Sequence, residues 1–104
     1  MGGTAPVPPA GVTASCSSLL SGAAQVEWDG VPGATSFGIY ESTQSATAGY
    51  ALVATGVTGT SWTSPTLGTG TYWFEVASFV GTDWVGPPSP ATGALTITLS
   101  LLCV

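Results

Sequence analysis

Few side chains in this 104-residue chain could do polar chemistry: five carboxylates (Glu27, Asp29, Glu41, Glu75 and Asp83) and two cysteines, with no Lys, Arg or His anywhere. General acid–base catalysis near neutral pH uses His or a Lys of lowered pKa, and a nucleophilic Ser or Cys needs such a base beside it. Neither site can be built from these residues. A paired-carboxylate hydrolase is formally left, but Glu27 and Asp29 share a face only if their strand continues, and Gly30 and Pro32 interrupt it. Calcium needs six to eight oxygen ligands, usually from a loop dense in Asp and Asn, and no such loop exists here. The expectation is a protein that is not an enzyme and has no metal and no cofactor.

The formal charge of −5 removes further classes. Affinity for nucleic acid comes mainly from Lys and Arg displacing counterions from phosphate, and basic clusters draw proteins to anionic lipid headgroups; neither partner is expected. No apolar run is long enough to cross a membrane as a helix. The opening residues MGGTAPVPPA lack the basic and apolar regions of a secretory signal. The chain is therefore expected either to act where it is made or to be a secreted form already processed, with the initiator Met1 favouring the first.

These groups must be positioned by β structure. Short runs rich in Val, Thr and aromatic residues alternate with Gly, Pro, Ser and Thr clusters, the pattern of an all-β sandwich or barrel. No segment carries apolar residues at helical spacing over three turns. The pattern predicts an extended Pro/Gly-rich arm over residues 1–10 and one β domain over 11–104. Strands are expected at Val12–Ser17, Ala23–Trp28, Ser36–Glu41, Tyr50–Ala54, Ser61–Thr63, Thr71–Val80 and Ala94–Leu101, with a turn at Gly86-Pro87-Pro88-Ser89-Pro90. Successive strand residues point to opposite faces. Alternation then predicts a core of Val12, Ala14, Val26, Trp28, Phe37, Ile39, Leu52, Trp62, Leu67, Tyr72, Phe74, Val76, Leu95, Ile97 and Leu99, and it turns Trp73 and Glu75 outward.

The order of several pieces resembles a fibronectin type III domain: Pro-Pro-x-x-Val at Pro8 to Val12, Gln25-Val26-Glu27-Trp28, Gly33 to Tyr40, Thr60-Ser61-Trp62, Leu67 to Tyr72 with Phe74 and Val76, and Pro87-Pro88-Ser89-Pro90. The resemblance covers about Pro8 to Leu99. It implies a seven-stranded antiparallel, immunoglobulin-like β-sandwich, with Tyr72 as a corner tyrosine bonded to backbone at the preceding turn. It also implies that the first and last strands run the same way, which brings Cys16 and Cys103 towards one pole. A disulfide between them is one expectation; two thiols kept reduced in the compartment of synthesis is the other. The segment Val80 to Gly86 contains no Arg-Gly-Asp, so integrin adhesion is not implied.

The third and sixth strands pair in such a fold, which would gather Tyr40, Trp73 and Phe79 on one outward face as a contact patch. Asp83 and Trp84 would sit in a loop at one pole of the sandwich, the aromatic able to stack on a sugar ring and the carboxylate to hydrogen-bond its hydroxyls. Pro6, Pro8 and Pro9 would lie in an arm free to cross a neighbour. A surface with so little charge suits packing in an assembly. The resemblance extends to modules appended to phage structural proteins. The expected role is thus a structural module docked on a protein lattice, a capsid decoration or tail-associated virion protein made in the host cytoplasm, with self-association a further expectation. The alternative is a carbohydrate or cell-surface binding module acting outside the cell. On either reading the contact is expected to be neutral and aromatic, with little salt dependence.

Overall fold

The computed structural model describes residues 7–17, 22–81 and 84–98. Two antiparallel sheets face each other. The smaller has three strands in the order β1-β2-β5, from Thr13–Cys16 (β1), Ala24–Glu27 (β2) and Ser61–Thr63 (β5). The larger is built on Ser36–Ser42 (β3), Ala51–Val57 (β4) and Gly70–Val80 (β6), in the order β4-β3-β6. Two short strands, Trp84–Val85 (β7) and Leu95–Ile97 (β8), pair with the two ends of β6. β8 falls within the expected last strand, whereas β7 lies in the stretch expected to be a loop, so Trp84 belongs to a strand and the described residues hold eight strands in place of seven.

A bulged passage joins β7 to β8. Gly86, Ser89, Thr92 and Leu95 are buried while the residues between them are exposed or half-buried. The amides of Gly86, Ser89 and Thr92 donate to the carbonyls of Ser78, Val76 and Phe74. Every three residues of this segment therefore match two residues of β6, one extra residue per step, as in successive β-bulges. The three prolines, Pro87, Pro88 and Pro90, fall at exposed positions where no amide is needed. The turn expected at Gly86 to Pro90 is instead a continuation of the sheet.

Between the sheets lie Ala24, Val26, Trp28, Phe37, Ile39, Tyr72, Phe74, Val76, Leu95 and Ile97. Trp28 packs on Phe37 with ring centroids 5.3 Å apart, and Trp62 meets Phe74 edge-on at 6.3 Å. Val12, Ala14, Trp62 and Leu67 close the margins as half-buried residues. The Tyr72 hydroxyl donates to the Gly68 carbonyl at 2.6 Å, the corner bond expected from the sequence.

One expected core residue is misplaced. Leu52 is 47% exposed because the β3–β4 register shifts on both sides of Ile39, which sets Ala54 opposite Ile39 and Leu52 opposite Tyr40. A one-residue slip moves a side chain to the other face. Leu99 lies outside the described residues.

Candidate functional site: the outer face of the larger sheet

The register of β3 against β6 decides which polar and aromatic residues share a surface. Tyr40 stands opposite Glu75, Ser42 opposite Trp73, Gly38 opposite Ala77 and Ser36 opposite Phe79, all on the side away from the core. Tyr40, Trp73, Glu75 and Phe79 are each half-buried. The three aromatic residues expected to form a contact patch thus lie on one sheet face, with Glu75 in the middle.

Gly38 gives this face its relief. A Cβ at that position would stand 2.9 Å from Cζ of Phe79 and 3.3 Å from Cδ1 of Leu52. The Phe79 ring and the Leu52 side chain therefore close over bare backbone and form a continuous apolar ridge across β3. Leu52, expected in the core, belongs to this surface, and nothing in simple alternation signals it.

The electrostatics of the sheet are asymmetric. Burial raises the carboxyl pKa of Glu75, and the charge of Glu75, after burial itself, raises the phenol of Tyr50. Tyr50 precedes β4, and its hydroxyl is anchored on the Ala46 carbonyl at 3.0 Å. Glu41 lies on the opposite, inward side, in register with Phe74. Burial raises its pKa, and its charge adds to burial in raising that of Tyr72. Its parity with Phe37 and Ile39 was the available signal for this inward position.

The other described carboxylates, Glu27 and Asp29, have neighbours of their own. Glu27 accepts from the Gln25 side-chain amide at 3.0 Å, and Asp29 lies against Gly11, where a Cβ would meet its Oδ2 at 3.0 Å. No group of three or more His, Cys, Asp or Glu among the described residues could hold a metal ion. A shallow hollow of about 270 Å³ is lined by Pro9, Ala10, Gly11, Val12, Pro90 and Ala91, which supply no reactive side chain.

The described part of the N-terminal arm is attached to the domain. The Ser78 hydroxyl donates to the Val7 carbonyl at 2.9 Å, and the Asp29 amide donates to the Ala10 carbonyl at 2.9 Å. Pro9 is buried and Pro8 half-buried. These two prolines are occupied by the domain's own packing and do not form a free arm. Pro6, Asp83 and the side chain of Trp84 lie outside the described residues, as does Cys103. Cys16, at the end of β1, is disulfide-bonded.

No family model and no curated protein matches the sequence. Solved structures do. A Fn3-like protein from Clostridium thermocellum superposes with a TM-score of 0.74 at 28% identity, covering 86% of this chain and 91% of that one. The fold is that of a fibronectin type III domain. FN3tt matches it with a TM-score of 0.73 at 18% identity over 90% of this chain and 96% of that one. A structure of titin kinase and its flanking domains matches at 0.74 and 20% identity, covering 93% of this chain but 18% of that one. On this fibronectin type III fold the candidate surface is the outer side of the β4-β3-β6 sheet.

Proposed function

We propose that this fibronectin type III domain is a non-catalytic module that docks on a larger protein assembly through the outer face of β3 and β6. The observation that supports this is the alignment of Tyr40, Trp73 and Phe79 on one face, with Leu52 and Phe79 closed over Gly38. Aromatic side chains contribute large buried area at interfaces for little conformational entropy. The assembly we favour is a virion, with the domain as a capsid decoration or tail-associated protein, because a surface poor in charge is suited to lasting burial in a lattice. Sedimentation of the chain from its native source tests this: it should travel with a large particle, and Trp73→Ala with Tyr40→Ala should release it. A chain that stays monomeric at high concentration and never sediments with a particle overturns the reading.

The side-by-side placement of Tyr40, Glu75 and Trp73 also favours a second reading, stacking on a sugar ring with a carboxylate to accept its hydroxyls. Polysaccharide titration would then shift Trp fluorescence in the parent chain and not in Trp73→Ala.

A further inference from the structure

We propose that the outer face of β3 and β6 receives an arginine side chain on an extended segment of a protein partner, its guanidinium seated on Glu75 between Tyr40 and Trp73. The inference rests on the docking reading and names the chemistry of its partner. Glu75 is at the centre of the face, with Tyr40 directly across the ladder and Trp73 the preceding same-face residue of β6. The chain contains no Lys, Arg or His, so no side chain of its own can neutralise this carboxylate.

Any partner that covers the aromatic face must also cover Glu75. A neutral partner would bury the carboxylate uncompensated, which is strongly unfavourable. A cationic one turns the same burial into an attraction. Arginine fits better than lysine: its planar guanidinium stacks on aromatic rings and offers two parallel donors to a carboxylate, whereas the lysine ammonium is a compact, strongly hydrated charge. Glu75 is already half-buried in the free domain, so part of its desolvation is complete before the partner arrives. The contact is therefore salt-sensitive, contrary to the neutral contact expected from composition.

The probe is the peptide acetyl-Thr-Val-Arg-Val-Thr-amide, compared with its citrulline twin, which keeps the shape and loses the charge. Amide shifts in the full chain should centre on Tyr40, Trp73 and Glu75. The citrulline twin should bind about tenfold or more weakly, and Glu75→Gln should weaken the arginine peptide by a similar factor, with added salt acting in the same direction. Equal binding of both peptides, shifts centred on Glu27 and Asp29, or indifference to Glu75→Gln overturns the proposal. The peptide comparison uses the unaltered chain, so it does not depend on how the variant folds. Sedimentation separates this inference from the reading beneath it: release from particles by Trp73→Ala without arginine selectivity sinks only the arginine claim, and arginine selectivity without particle docking sinks only the docking claim.

Discussion

Ser89 pairs with Val76 twice, its amide donating to the Val76 carbonyl at 2.8 Å and its hydroxyl accepting from the Val76 amide at 3.0 Å. The hydroxyl takes the part that a backbone carbonyl plays in an ordinary antiparallel pair, and it donates in turn to the Pro90 carbonyl at 3.0 Å. Thr92 does the same for Phe74, and Ser64 for Ala24 at the end of the smaller sheet. A bulge turns a carbonyl out of the ladder; a hydroxyl on the same residue restores the bond. Ser89→Ala leaves the buried Val76 amide without its acceptor and should destabilise the domain by about 1–3 kcal/mol. Urea unfolding measures this, with Pro88→Ala as a control at an exposed position. Equal stabilities for the two variants would show that the hydroxyl bond is dispensable.

Gly38 supports the aromatic ridge by having no side chain. Gly38→Ala would drive a methyl into the Phe79 ring and should cost about 1–3 kcal/mol, the usual range for overpacking. The ring end is the atom group in the way, so Phe79→Ala should relieve most of that cost when combined with it. A double-mutant cycle in thermal unfolding reads this coupling directly; additive costs would mean that the strain lies in the backbone and not against Phe79.

The sandwich was legible because its signals are local. Alternation in Tyr72 to Ala77 sorted β6 correctly, and Trp28, Phe37 and Ile39 took their expected core positions. Pairing β3 with β6 then placed Tyr40, Trp73 and Phe79 together without knowledge of any distance. Leu52 was misread because its face depends on irregularities in the β3–β4 register, which are a property of two strands and not of one. The hydrogen-bonded passage from β7 to β8 was hidden for a similar reason. Its prolines read as a turn, and only the β6 partners show that Ser89 and Thr92 carry the ladder past them. Glu41 was assigned to neither face, although its parity with Phe37 and Ile39 points inward, where the structure has it.

Glu41 makes stability depend on pH in a definite direction. Burial raises its folded-state pKa, as it does for Glu75, and the chain has no cationic side chain to oppose that shift. The folded state therefore holds protons more tightly than the unfolded state, and stability falls as pH rises through the window above the ordinary glutamate range. The contribution is fully present below the unfolded-state value and is lost once pH passes the raised folded-state values. Glu41→Gln should raise the thermal midpoint at neutral pH and flatten its decline between mildly acidic and neutral conditions. Midpoints that instead rise with pH in the parent chain would contradict the assignment.

Cys16 ends β1, an edge strand of the smaller sheet, and the chain has one other cysteine, Cys103. We propose that the two form the bridge that engages Cys16, tying the first strand to the C-terminal segment. The chain-entropy account of so long a loop gives about 4–5 kcal/mol of stabilisation. Intact mass should be two hydrogens below that of the fully reduced chain, with no alkylation before reduction. Cys103→Ser should leave Cys16 open to alkylation and lower the unfolding midpoint to that of the reduced parent. Two alkylated thiols in the purified protein, or a reduced chain as stable as the oxidised one, would show that the domain holds its edge strand by packing and hydrogen bonds alone.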